Sequence, residues 1–310
     1  MLARVAANIY WMGRYLERAE SMARLVGATR AMVLDLTGSR EDHTRHWQHL
    51  LTITGNDDLF MTHGGHMDET GVIYFLISQD DHPGSLRSAV AMARENMRTL
   101  RDLFPREFWR HLNQLHRFLG EDPATLCNPD ALPEALDEVI RHCHTLVGIL
   151  LSTTSRDMVF DLLRLGQHIE RADMTTRLLD LDPAHMGPEA GDTPWLHLLR
   201  SISAEPMYRR HVQPRIHGPA VFNYLLRDRL FPRSLNYCLH ELERCLGHFD
   251  QHAMCMLLIK RMERTLDDVE ITHLLTDGPG TFMDGMQRDL GNLHHHIAAI
   301  YFAIPAPAPG

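Results

Sequence analysis

The chain has 310 residues, 44% apolar and 23% charged, enough to bury a sizeable core without metals or disulfides. Its formal charge of −9 excludes a general nucleic-acid binder, since phosphate contacts need a net basic surface. Five cysteines without a CxxC pair read as buried thiols of a reducing compartment, no apolar run nears the ~18 residues that cross a bilayer, and the N-terminus lacks the apolar core of a signal peptide, so a cytoplasmic protein with no membrane contact is expected.

The first predicted helix runs from near the start to about Leu36, with Thr37, Gly38 and Ser39 closing it. Within it Val5, Ile9, Met12, Leu16, Ala19, Ala23 and Val26 alternate spacings of four and three, which at ~100° per residue gathers them into one apolar stripe. Tyr10, Gly13, Arg14, Glu17, Glu20 and Arg24 form a polar stripe beside it. HWQHLL (46–51) comes next, and residues 55–70, rich in Gly, Asp and His, read as a loop able to carry specificity. The apolar run from Val72 to Ile77 is ambiguous between strand and helix and fits a short buried helix better. After Pro83-Gly84-Ser85 the pattern SLRSAVAMARENMRTLRDLF is helical, because proline followed closely by serine starts a helix well. Helical patterns resume after Pro105 and from Asp130 to Thr153, with Pro133 near a start.

The rest of the chain echoes what precedes it. DLLRLGQHIERADMTTRLLD (161–180) aligns without a gap with NIYWMGRYLERAESMARLVG (8–27), so Gly13, Glu17, Arg18, Ala19, Arg24 and Leu25 return as Gly166, Glu170, Arg171, Ala172, Arg177 and Leu178, while Glu20 becomes Asp173. The apolar stripe returns as Met158, Leu162, Leu165, Ile169, Ala172, Thr176 and Leu179. Trp47, His49, Leu50 and Leu51 reappear as Trp195, His197, Leu198 and Leu199, and residues 72–86 align with 221–235. The three offsets, 153, 148 and 149 residues, preserve order and spacing as a tandem duplication predicts. Residues 187–194 and 203–219 read as irregular, 231–276 and 282–302 as helical, and 304–310 as a disordered tail. The expected fold is all-α: two tandem, internally duplicated helical units, 1–153 and 154–303, packed as one elongated or pseudo-twofold helical bundle and forming one continuous domain.

IYWMGRYLERAESMARL, GQHIERADMTTRLLD, PGSLRSAVAMARENMRTLRD, FPRSL and the closing IAAIYF together resemble the alpha-E family, a bacterial all-helical domain named for its glutamates, and the resemblance covers nearly the whole chain. Members are encoded beside, or fused to, circularly permuted ATP-grasp proteins similar to amide-forming ligases, often with transglutaminase-like or N-terminal-nucleophile hydrolase-like neighbours. The resemblance therefore implies a role in making or processing an amide or peptide bond, with a circularly permuted ATP-grasp protein and a transglutaminase-like protein as partners. Two departures stand out: Gln167 replaces the family's usual arginine after the second glycine, and Met22-Ala23-Arg24 replaces Asn-Ala-Arg.

Glu17 and Glu170 are the candidate catalytic pair. Tyr10, Arg14, Arg18, Glu20, Arg24, Arg171, Asp173 and Arg177 are the candidate substrate-binding residues around them, joined by Arg87, Arg94, Glu95 and Asn96 from the ARENMR segment and its approach. A mid-helix glycine costs about 1 kcal/mol against alanine, so its presence in both copies marks the close approach of a backbone or a ligand. Arginines at these spacings can clamp a carboxylate or phosphate bidentately. The competing reading is a solvated face of Glu20–Arg24 and Arg14–Glu17 pairs, each contributing ~0.2–0.5 kcal/mol.

No metal or cofactor is implied. Glu270-x-x-His273 lacks the second ExxH and the two further glutamates of a di-iron bundle, His142 and His144 cannot share one helical face, and His294-His295-His296 reads as surface. There is no GxSxG, P-loop or GxGxxG, so nucleotide chemistry would come from a partner. The expected function is a helical accessory or substrate-handling component of an ATP-grasp-type amide or peptide ligase system, binding a small amino-acid or peptide substrate in a Glu/Arg-lined cleft. Two alternatives remain open: an independent enzyme of amide or peptide metabolism using the paired glutamates, and a structural or adaptor helical protein whose stripes are interhelical salt bridges.

Overall fold

In the computed structural model, which describes residues 2–35, 40–180, 191 and 193–303, every regular element is an α-helix. In chain order these are α1 (Ala3–Asp35), α2 (Arg40–Thr54), α3 (Asp57–Thr62), α4 (Glu69–Ile77), α5 (Leu86–Arg98), α6 (Arg106–Leu119), α7 (Pro123–Leu126) and α8 (Leu132–Thr153). Then come α9 (Met158–Leu179), α10 (Thr193–Ser201), α11 (Glu205–His211), α12 (Gly218–Arg227), α13 (Leu235–Leu246), α14 (Ala253–Asp268), α15 (Ile271–Asp277) and α16 (Gly280–Tyr301).

Helices α1 and α9 form the centre and lie against each other. Around α1 pack α5 and α8, bridged by α6; around α9 pack α13 and α16, bridged by α14. Helix α2 contacts both central helices, and α10 rests on α1. Being surrounded explains why the central helices bury more than one stripe. Ile9, Met12, Ala19, Ala23 and Val26 are fully buried, but so are Tyr10, Glu17 and Glu20 on the polar side. Helix α9 buries nearly every side chain along its length.

Local chemistry sets the helix starts. Ser85 and Ser234, each two residues after a proline, are N-caps whose hydroxyls accept from Ser88 N and Tyr237 N, satisfying one orphan donor of the first turn. Asp157 caps α9 by accepting from Val159 N and Phe160 N. Glu270 caps α15 through Thr272 N and His273 N, so its side chain serves the backbone.

Several expectations change. Residues 55–70 are not one loop, because Asp57–Thr62 is helical with Phe60 fully buried and α4 begins at Glu69. The stretch 203–219 contains α11, and the run 231–276 is three helices with breaks at 247–252 and 269–270. Helix α5 ends at Arg98, well before the end of the pattern that predicted it. Met158, placed on the apolar stripe, is 43% exposed because it occupies the first turn of α9. The expected stop at Thr37, Gly38 and Ser39, most of 187–194 and the tail 304–310 lie outside the described residues.

Candidate functional site

The two central helices cross at their glycines. A Cβ on Gly13 would stand 2.2 Å from Leu163 O and 3.2 Å from Gln167 N, and one on Gly166 would stand 2.0 Å from Tyr10 O and 3.1 Å from Arg14 N. Leu163 and Gln167 follow Tyr10 and Arg14 by the same offset that separates the two glycines. The contact is reciprocal, and it answers the question the mid-helix glycines raise: what comes close is the other helix.

One turn beyond the crossing the acids and bases interlock. Arg171 donates to Glu17 from Nε at 2.7 Å and from Nη2 at 2.6 Å, a bidentate pair. In the opposite direction Arg14 and Arg18 donate from Nε to the two oxygens of Glu170, at 2.7 and 2.6 Å. Each Glu-Arg step, 17–18 and 170–171, thus sends its arginine to the other step's glutamate. Arg14 therefore does not make the expected pair with Glu17; it reaches across to Glu170. Arg233, from the Pro-Arg-Ser step before α13, donates to Glu17 at 3.1 Å and to Glu20 at 2.5 Å. Glu20 also binds Arg24 and lies 3.3 Å from His144 Nε2.

Arg233 explains a departure of the sequence. Around Glu17 and Glu20 stand Arg24, Arg171 and Arg233; around Glu170 and Asp173 stand Arg14, Arg18 and Arg177. Gln167 takes the place equivalent to Arg14, and Gly84 the place equivalent to Arg233, so each cluster keeps two carboxylates and three guanidiniums by a different route.

Burial makes these pairs matter. Glu17 is 1% exposed and Glu170 4%, so neither is the solvated surface carboxylate of the competing reading. Burial pushes the Glu170 carboxyl up, but Arg14 and Arg18 outweigh it and hold it below the ordinary range. Burial likewise raises Glu20, and Arg233 with His144 and Arg24 brings it lower still. For Arg171 burial favours loss of the proton, yet Glu17 wins and its pKa rises. Both oxygens of Glu17 and both of Glu170 accept from a guanidinium. A small cavity lined by Leu16, Glu17, Glu20, Phe108, Cys143 and Gln167 has room for about one water-sized molecule.

The outer turns of the same helices hold the returning chain. Arg24 donates to Ser203 Oγ, and Arg177, paired with Asp173, stands 3.1 Å from where a Cβ on Gly55 would be. Gly55 and Ser203 both have positive φ, +67° and 54°. Tyr10 is fully buried, hydrogen-bonded at 2.8 Å to His294 Nδ1 and stacked on that ring. Burial raises the Tyr10 pKa and pushes His294 down to about 4, so His294 is half-buried and neutral, not the surface residue expected.

The ARENMR residues are not drawn into this network. Arg94 donates to Asn113 and lies over the Trp109 ring, Arg87 faces Asp80 at 3.4 Å, Glu95 pairs with Arg98 on an exposed face, and the Asn96 carbonyl accepts from Thr99. Arg233, His144 and Ser203 belong to the network without having been candidates. The FPRSL step was the one available signal for Arg233.

Among the described residues no group of His, Cys, Asp and Glu is arranged to hold a metal ion, and no helix is long and apolar enough to cross a membrane. Compared with known proteins, residues 1–302 match the Alpha-E family model, described as a predicted alpha-helical domain with a conserved ER motif. The chain is 27% identical, over 94% of its length, to uncharacterised proteins of Mycobacterium bovis and Mycobacterium tuberculosis, and the match covers 34% of those proteins. The chain thus spans about a third of the length of the curated relatives it matches. No solved structure matches it significantly. The protein belongs to the Alpha-E family.

Proposed function

We propose, from this membership, that the chain is a helical accessory or substrate-handling component of an ATP-grasp-type amide or peptide ligase system, with the nucleotide chemistry supplied by a partner. The observation that carries this reading is the length of the relatives: in them the matching region is about a third of a longer chain, so the helical unit there accompanies further sequence. A circularly permuted ATP-grasp protein, with a transglutaminase-like protein beside it, is the partner the resemblance implies.

The chain is further read as two duplicated units, 1–153 and 154–303, related by an approximate twofold axis through the glycine crossing. What supports this is the reciprocity of contacts: Gly13 against Gly166, Arg18 to Glu170 against Arg171 to Glu17, and Arg24 at Ser203 against Arg177 at Gly55. In this arrangement Glu17 and Glu170 act as the lock between the units, while the side chains of Arg18 and Arg177 are 26% and 34% accessible. Engagement of both oxygens of each buried carboxylate by arginine favours that role over acid–base chemistry, and it also favours the scaffold reading as the second choice.

The test is reconstitution with a circularly permuted ATP-grasp protein from the same genome. Product formation that depends on adding this chain, with no ATP turnover by the chain alone, is the expected result. Equal product with and without it would refute the accessory reading. The double variant Glu17→Gln/Glu170→Gln separates the roles: lost folding fits the lock, whereas intact melting with lost activity would return both glutamates to catalysis.

A further inference from the structure

Between α9 and α13 the chain buries a histidine that nothing satisfies. His168 is fully buried, and neither ring nitrogen has a hydrogen-bond partner, a costly state for a polar group. Arg164, 9% exposed, lies beside it and donates to Gln167 Oε1 at 3.1 Å. Opposite it stand Tyr237, its ring centroid 6.0 Å from that of His168, and Glu241 and Arg244 on the same helix. One oxygen, Glu241 Oε2, is 3.7 Å from both Arg164 Nη2 and His168 Nε2, too long to bond either. Its hydrogen-bond partner here is Arg244, one turn on, whose side chain is 38% exposed. Exposure therefore rises from none at His168 to 38% at the Arg244 side chain.

We propose that Arg164, His168, Tyr237 and Arg244 form a binding site for a small monocarboxylate, such as the carboxylate of an amino acid or a peptide C-terminus, and that Glu241 is an internal occupant which the ligand displaces. The charge count selects the ligand. Arg164 and Arg244 contribute two positive charges, and Asp161, 2% exposed and within 2.7 Å of His248 Nδ1, faces Arg244 at 3.6 Å and offsets one of them. When Glu241 swings out, one positive charge is left without a counterpart, which a monoanion balances and a phosphate dianion exceeds. His168, kept neutral first by burial and then by the neighbouring arginines, offers one N–H to the incoming oxygen. Arg164 adds a planar fork that fits a carboxylate.

The identity of the ligand rests on the substrate-handling reading above, but binding is a property of this chain alone, so a failed ligase reconstitution and a failed site are told apart. The experiment is calorimetric titration of the full chain with N-acetylglycine, with N-acetylglycinamide as the neutral isostere and inorganic phosphate as the competing anion. Saturable binding of the acid and none of the amide is expected, at least tenfold tighter in Glu241→Ala and abolished in Arg164→Gln. Should Arg164→Gln fail to fold, the gain in Glu241→Ala and the acid-over-amide preference decide the matter. Binding in Glu241→Ala no tighter than in the native chain, equal binding of the amide, or preference for phosphate would each overturn the proposal.

Discussion

Two glycines and two glutamates carry the heaviest constraints. Gly166→Ala would place a methyl 2.0 Å from a backbone oxygen that cannot move without parting the central helices. It is expected to cost at least about 3 kcal/mol in urea unfolding, at the upper end for overpacked sites. Gly148, exposed on α8 with nothing within 4 Å of its would-be Cβ, is the control, and there alanine should stabilise by about 0.5–1 kcal/mol. Glu17→Gln leaves Arg171 buried without its counter-charge and Arg233 with Glu20 alone, and the same measurement should register a loss of about 3–5 kcal/mol. A loss below about 1 kcal/mol, the value of a surface pair, would contradict the buried lock.

At the scale of elements, the apolar stripe was readable because a helix that packs on one side leaves a periodic trace. Leu16 and Ile169 stand mid-stripe and are 5% and 2% exposed. Either changed to Asp buries an unpaired charge and should lower the melting temperature by several degrees or abolish folding. The polar stripe was readable as a stripe but not as an interface, since periodicity reports which residues share a face and is silent about what that face meets. Partner exchange between the two Glu-Arg steps follows only once α1 and α9 cross. Arg233 was harder still, because it lies on a turn, where no periodicity marks it, and its equivalent in the first unit is Gly84. Breaks at 247–252 and 269–270 were missed because Gly247 and Val269 are weak stop signals beside long apolar patterns.

For the whole molecule the depressed carboxyls predict the direction of acid sensitivity. Glu20 and Glu170 titrate below the ordinary carboxylate range in the folded chain and near about 4.3 when unfolded. Their stabilisation is therefore complete above that value and is lost as pH falls toward the folded pKa, when the unfolded chain binds more protons than the native one. The urea midpoint should drop on acidification from about pH 5 to pH 3, and Glu170→Gln should flatten that slope. An unchanged slope in the variant would show that other carboxylates govern the acid limb.

The crossed pairing also has a consequence for synthesis on the ribosome. Glu17 waits for Arg171, 154 residues later, and for Arg233, 216 residues later. At about 5–20 residues per second that is a delay of roughly 10 to 40 s during which the charged face of α1 that meets α9 has left the exit tunnel without its partner, although α5 and α8 follow sooner. Loop closure over such separations is slow in its own right. Nascent chains stalled before residue 171 should thus be less protected from protease along α1 than the full chain, with full protection arriving only after the Pro-Arg-Ser step has emerged, and the uncovered face of that helix is where a holding chaperone would be needed.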